Sequence, residues 1–239
     1  MGEFAARDRG YITKLAAGAS EQARGRGLID RARTWRSRPA RLAPLPRKHA
    51  DWPDELQDVP SIRGWLSRDA AMLLYGLARE VAEGCVVEVG SFRGRSTLAL
   101  ARGVEHGHGA RVYAVEPHEP FVGPRGGEFG AEDRAAFFRN MVRTGAYRQV
   151  RLLNTSSEVV AAGWKEPVAL LWLDGDHSYE GVRRDFDAWA PHLLLGCDLV
   201  LDDVDDPKLG PQRLIDELTR AGWVEITRIG QVAHLRRRE

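Results

Sequence analysis

Asp174, Asp176 and His177 stand close together in Asp174-Gly-Asp-His-Ser-Tyr179, and Asp202-Asp203 form a second acidic pair with Asp205 and Asp206 just beyond. Each cluster closes a largely apolar run, Val168 to Leu173 in one case and Cys197 to Leu201 in the other. A run without alternation reads as a strand buried on both faces of a parallel sheet. Two such strands side by side deliver carboxylates and an imidazole to one edge. Oxygen ligands gathered in that way suit a hard divalent cation such as Mg²⁺, and crowded like charges without a cation repel. A hydrated acidic loop is the competing reading, and Asp205-Asp206 is expected to belong to it. His177, whose ordinary pKa is about 6.5, is a candidate general base or else a hydrogen-bonded turn residue.

A different chemistry is written earlier in the chain. Val86 to Val89 is a short β-branched run with Glu88 inside it, Gly90 and Gly94 follow, and Ser96-Thr97 open an apolar helical stretch. The order is strand, glycine turn, helix, which offers close backbone approach and free N–H groups to a ligand. Gly90-Ser-Phe-Arg-Gly94 lacks the G-x-G-x-x-G spacing of a dinucleotide site. Glu88 sits badly beside a polyanion and suits an ammonium or sulfonium group instead. Glu116 ends the next predicted strand, Arg111 to Glu116, where α/β sites place an acid for ribose hydroxyls. Asn154-Thr-Ser-Ser157 follows the strand Val150 to Leu153 and is placed for an adenine contact through Ser156, for helix capping, or for both.

Glu88-Val-Gly-Ser-Phe-Arg-Gly-Arg-Ser-Thr97 resembles motif I of class I S-adenosylmethionine (SAM) methyltransferases. The version closed by Ser-Thr is similar to a bacterial subgroup that includes O-methyltransferases of natural-product biosynthesis. The resemblance spans about residues 61–239. It implies an α/β fold, a doubly wound seven-stranded Rossmann-like sheet of order 3-2-1-4-5-7-6 with its last strand antiparallel. It also implies that SAM is held by Glu88, Gly90, Ser91, Gly94, Ser96, Thr97, Glu116, Ser156 and Asp174. Glu116 would be the motif II acid, which is usually Asp in the subgroup.

Asp-Gly-Asp-His-Ser-Tyr and the later Asp-Asp are similar to metal-dependent O-methyltransferases that modify sugar hydroxyls on macrolides and aminocoumarins. That likeness makes Asp174 the candidate base, and Asp176, Asp202 and Asp203 the candidate ligands. In catechol methyltransferases the acid at the strand end, here Asp174, is the ligand, and both registers stay open. Many relatives carry His-Asp in place of Asp-Asp, so the wider subgroup need not use metal. The implied reaction is in-line displacement of the SAM methyl by an oxygen of a small molecule, a sugar or a polyketide-type natural product. Metal-independent transfer with His177 or Asp174 as base is the alternative. A short-chain oxidoreductase is disfavoured because Tyr179 is followed by Arg183 where that class needs Lys. A nucleic-acid methyltransferase is disfavoured because no Asn-Pro-Pro-Tyr-like pocket appears. A non-catalytic SAM-binding module leaves both acid clusters unexplained.

The remaining elements must position these groups. The 239 residues suffice for one sizeable core and an additional arm. A formal net charge of +1 argues against wholesale nucleic-acid binding. No apolar stretch approaches a membrane span, and no secretory h-region is expected. Cys85 and Cys197 each open a predicted buried strand, so a reducing cytoplasm fits better than a disulfide framework.

Residues 1–60 read as a basic, proline-containing arm, with Asp30 the only acid between Arg24 and Lys48. A helix from Tyr11 to Arg33 is weakened by its glycines, and Pro39, Pro44 and Pro46 make a linker. Trp35, Leu42 and Trp52 are costly to leave in water. The arm is therefore expected either to dimerise or cover a substrate, or to be a solvated tail. Further expectations are a helix from Arg68 to Glu83 capped by Ser67, and Trp65 near the glycine loop or in the core. Pro117 to Gly130 is expected to be a mobile lid, with a helix from Asp133 to Thr144 behind it. Toward the end of the chain, a helix capped by Ser178 should bury Val182, Phe186 and Trp189, with a helix from Pro211 to Ala221 and a terminal hairpin about Gly230 after it.

Overall fold

The computed structural model describes residues 49, 51–123 and 127–237, all within one unit that runs from Pro44 to Glu239. The expected arm helix, Trp35 and Leu42 lie outside the described residues. After the 3-10 turns Asp54–Leu56 and Val59–Ser61 come α1 (Arg68–Arg79), β1 (Cys85–Val89), α2 (Arg95–His106) and β2 (Val112–Val115). Next are β3 (Phe121–Val122), β4 (Glu128–Phe129), α3 (Ala131–Thr144), β5 (Val150–Leu153), α4 (Ser157–Ala162) and β6 (Val168–Leu173). The order closes with α5 (Tyr179–Trp189), β7 (Leu193–Leu201), α6 (Gly210–Arg220), β8 (Trp223–Ile229) and β9 (Val232–Arg237).

The main sheet has seven strands in the order β5-β2-β1-β6-β7-β9-β8. β5, β2, β1, β6 and β7 are mutually parallel, and β9 runs antiparallel to both β7 and β8. Renumbered over this sheet alone, that is the expected 3-2-1-4-5-7-6 arrangement. Every residue of β1 is buried, because it has strands on both edges and helices on both faces. Its side chains part by the period of two. Val86 joins one core layer with Leu74, Leu98 and Phe137, and Cys85, Val87 and Val89 join the other with Val182, Phe186 and Trp189.

Local signals explain where the helices begin. Ser67 Oγ accepts from Ala70 N–H at 3.2 Å, and Ser178 Oγ accepts from Gly181 N–H at 3.0 Å. α1 stops at Arg79, short of the expected Glu83, and the chain unwinds there so that Val81 reaches the core before left-handed Gly84 turns into β1. Within the segment expected to be a lid, Phe121 pairs with Phe129 and Val122 with Glu128.

Leu56, Val59 and Ile62 are each no more than 1% exposed and pack in the first core layer, with Trp52 half-buried against it. Burying side chains of this size contributes about 1.5–3 kcal/mol each. The stretch from Trp52 onward is therefore packed onto the sheet domain. Cys85 and Cys197 are buried free thiols, and burial pushes both up to about 12, which leaves them unreactive. Among the described residues no helix is long and apolar enough to cross a membrane.

Candidate active site

Four strand ends finish at one level because backbone bonds tie each to its neighbour. Glu116 N–H donates to Leu153 O (3.1 Å), Gly90 N–H to Val115 O (3.0 Å), Asp174 N–H to Val89 O (2.9 Å) and Asp202 N–H to Leu173 O (3.1 Å). The residues just past β2, β1, β6 and β7 therefore share one carboxyl edge, where ligands of open α/β sheets bind.

The β1 loop is shaped from behind. Gly90 is left-handed (φ 88°), and a Cβ there would collide with the backbone carbonyl of Asp174, so the glycine is required by the adjoining strand end. Gly94 (φ 87°) starts α2, and a Cβ on it would lie 2.6 Å from Met141 Cε. Glu88 is fully buried, and its two oxygens accept the hydroxyls of Ser96 and Thr97, each at 2.5 Å. Burial pushes Glu88 up to about 7 against the pull of those hydroxyls. The structure thus has Glu88, Ser96 and Thr97 bracing the loop from inside, with Ser91 also buried. Ser156 starts α4 without a side-chain cap bond, half-buried at the β5 end of the edge.

Glu116 is half-buried and faces the loop. Its Oε2 accepts from Phe92 N–H (3.1 Å) and its Oε1 from His118 N–H (3.0 Å). Each oxygen keeps a second lone pair, so the carboxylate remains able to accept two further hydroxyl donors. Trp65 settles beside this loop and not in the core. It is 65% exposed, with its ring stacked on Phe92 at 5.6 Å between centroids.

The two acid clusters converge on His177. Its Nδ1 lies 2.5 Å from Asp203 Oδ2 and its Nε2 3.4 Å from Asp174 Oδ1. Burial alone would pull the imidazole pKa down, but hydrogen bonds and charge from Asp174 and Asp203 outweigh it and hold it at about 10. Asp202 is pushed up to about 8, first by burial and then by the charge of Asp174, to which its carboxyl is hydrogen-bonded. Burial also raises Asp174, while His177 and Asp202 pull against that rise. Near neutral pH the cluster therefore holds a protonated Asp202 and an imidazolium, with the proton affinity of Asp174 raised beside them. Gln231, from the turn between β8 and β9, donates to both oxygens of Asp202 (3.0 and 3.1 Å) and to Asp203 Oδ1 (2.9 Å).

Asp176 does not join this cluster. Its Oδ1 accepts from Ser178 N–H at 2.9 Å and its Oδ2 lies 3.9 Å from Arg184, which turns it toward the start of α5. Among the described residues no three His, Cys, Asp or Glu side chains are grouped as a metal-ligand set. The reason is visible in the geometry, since the His177 imidazole sits between the carboxylates that a cation would bridge. In this arrangement the donors do not fit a divalent ion.

His118 and Gln231 are the contributors that the motif reading missed. Neither belongs to a recognisable spacing, although each lies within two residues of a turn-forming Pro117 or Gly230.

Residues 87–204 match the family model described as a methyltransferase domain, a span that takes in the β1 loop, Glu116 and both acid clusters. Solved structures share the fold. An O-methyltransferase from Bacillus cereus in complex with S-adenosylhomocysteine (SAH) superposes with TM-score 0.60 at 17% identity, covering 79% of this chain and 93% of that one. An SAH-bound methyltransferase from Podospora anserina gives 0.58 at 15%, covering 78% and 89%. The O-methyltransferase TomG from Streptomyces achromogenes, involved in tomaymycin synthesis and bound to SAM, gives 0.54 at 18%, covering 78% and 91%. The sheet order is that of the Rossmann-like methyltransferase fold, and the family match falls on residues 87–204 within it.

Proposed function

We propose that this chain is a SAM-dependent O-methyltransferase acting on a hydroxyl of a small molecule, a sugar or polyketide-type natural product. One observation carries the reading: a glycine-turned loop, a ribose-competent acid and a buried acid–imidazole cluster lie on a single carboxyl edge. The relatives bound to SAM or SAH support the cofactor, and TomG supports a natural-product acceptor. SAM supplies an electrophilic methyl group on a sulfonium. Glu116 would accept the ribose hydroxyls with its remaining lone pairs, and the β1 loop would hold the cofactor beside Asp174.

A hydroxyl attacks well only as its proton leaves, and that proton needs an acceptor. His177, held at about 10, already carries its proton near neutral pH and cannot take a second. Asp174 is partly exposed on the edge, and burial raises its proton affinity. We therefore assign Asp174 as the base and His177 as the cation that holds it in place. The acceptor's O–H proton passes to Asp174, its oxygen bonds to the methyl carbon, and the sulfur–carbon bond electrons return to sulfur. Orientation alone contributes several kcal/mol to such a step.

Magnesium assistance is the second reading, favoured by the crowding of Asp174, Asp202 and Asp203 around one point. It requires His177 to leave the carboxylates. We further propose that the arm, expected over residues 1–60 and here the part before the packed stretch at Trp52, covers the acceptor site or forms a homodimer, and that the buried free thiols suit a reducing cytoplasm. The cofactor assignment is tested by titrating SAM into wild type and Glu116→Ala. Loss of charge-assisted hydrogen bonds should weaken binding by about 1.5–3 kcal/mol, and an unchanged affinity would remove Glu116 from the site. Chelation with EDTA before a methyl-transfer assay decides between the two readings. Full activity in the stripped enzyme supports Asp174 alone, and lost activity restored by Mg²⁺ supports the metal.

A further inference from the structure

His118 is 4% exposed and left-handed (φ 51°), a conformation uncommon outside glycine. Its ring bridges two parts of the edge. Nε2 lies 2.8 Å from the carbonyl oxygen of Phe92 in the β1 loop, and Nδ1 lies 3.3 Å from Asn154 Nδ2 just past β5. A carbonyl can only accept, so Nε2 carries the proton, and Nδ1 is left as an acceptor facing the Asn154 amide nitrogen, whose two hydrogens are taken by shorter bonds. The amide's orientation is set independently. Its nitrogen donates to the backbone carbonyls of Glu116 (2.7 Å) and Pro117 (2.8 Å), and its oxygen accepts from Arg134 (2.7 Å).

These bonds close around Phe92. Its N–H is held by Glu116 Oε2 and its carbonyl by His118, so both of its backbone groups are tied to residues just past β2. Phe92 is itself left-handed (φ 46°), and a side chain in that region stays there only when its surroundings over-determine it. We propose that His118 is a positioning residue that locks the Gly90–Gly94 loop against Glu116 in the shape that receives the cofactor. This rests on the reading of the edge as the SAM site. Without the lock, Phe92 relaxes toward ordinary backbone angles and takes its N–H away from Glu116. The binding-competent fraction then falls, and apparent affinity falls in the same proportion.

The test is calorimetric titration of the full chain with SAH, using wild type, His118→Ala, His118→Gln, Phe92→Gly and the Phe92→Gly/His118→Ala double variant. His118→Ala should raise the Kd about tenfold or more, through loss of the competent population. His118→Gln keeps an N–H donor and should return to within about threefold of wild type. Glycine adopts the left-handed turn unaided, so His118→Ala should cost less than about threefold in the Phe92→Gly background. A merely structural role would give neither the rescue nor the coupling. Kd within twofold of wild type in His118→Ala, or Gln as weak as Ala, or an undiminished penalty in the Phe92→Gly background, each overturns the inference. Should His118→Ala fail to fold, His118→Leu, which fills the space without an N–H donor, takes its place in both backgrounds, with the same outcomes overturning the inference. Wild type that binds no SAH overturns the cofactor reading itself, a result distinct from binding that the variants leave unmoved.

Discussion

Asp202→Asn separates the two readings of the acid cluster by stability as well as by activity. Asp202 is 7% exposed and its pKa stands at about 8 where an ordinary Asp has 3.8. Between those two values the unfolded chain carries an ionised Asp202 while the fold must keep it protonated. The stability this group contributes is therefore complete below about 3.8 and is lost as pH rises to about 8. At about 1.4 kcal/mol for each tenfold change in proton affinity, the span from 3.8 to 8 is worth at most ~6 kcal/mol. Water penetration and relaxation around the coupled Asp174 reduce this to about 2–4 kcal/mol. An Asn reproduces the protonated acid, since its nitrogen can donate to Asp174 and its oxygen can accept from Gln231. The variant should then gain about 2–4 kcal/mol at pH 8, a rise of roughly 5–15 °C in Tm for a chain of this size. The gain should vanish near pH 4, and methyl transfer should persist. Thermal unfolding followed by circular dichroism at both pH values, with activity measured alongside, checks it. A gain over wild type no larger at pH 8 than at pH 4 would refute the reasoning, and inactivity rescued by excess Mg²⁺ would instead make Asp202 a metal ligand.

Asp174→Asn should lower kcat by about 10²–10⁴-fold, the usual worth of a general base, with SAH binding retained, as a single-turnover methyl-transfer assay would show. His177→Asn removes a cation beside Asp174, so the Asp174 proton affinity should rise and the acid limb of the kcat–pH profile should move upward by about one pH unit or more. A uniform loss at every pH would make His177 the base. For wild type, Glu88 (to about 7), Asp185 (to about 6), Asp202 (to about 8) and His177 (to about 10) all have raised pKa values. Each contributes stability at lower pH that is lost on passing through its raised value. The thermal midpoint should therefore fall steadily from pH 5 to pH 9, and a flat or rising profile by scanning calorimetry contradicts the assignment.

β1 and β6 could be read as central strands because they are largely apolar runs without alternation, whereas the order of the sheet came from the motif resemblance. Ser67 and Ser178 act locally, within one helical turn, so their capping was legible too. Side-chain direction past a strand end was not. Asp174 and Asp176 are two residues apart, yet one enters the cluster and the other accepts from Ser178 N–H and turns away. Glu88 looked like a contact for a cation, and only the register of β1 over α2 shows it pointing at Ser96 and Thr97. His118 and Gln231 act through partners far off in sequence, Phe92 and Asp202, which no spacing rule connects.

The central claim is that the edge formed by β2, β1, β6 and β7 receives an adenosine-bearing sulfonium cofactor. Isothermal titration of the full chain with SAH, and separately with NAD, addresses it directly. The account predicts saturable SAH binding at one site per chain and no heat from NAD. Binding of NAD with no response to SAH would contradict it.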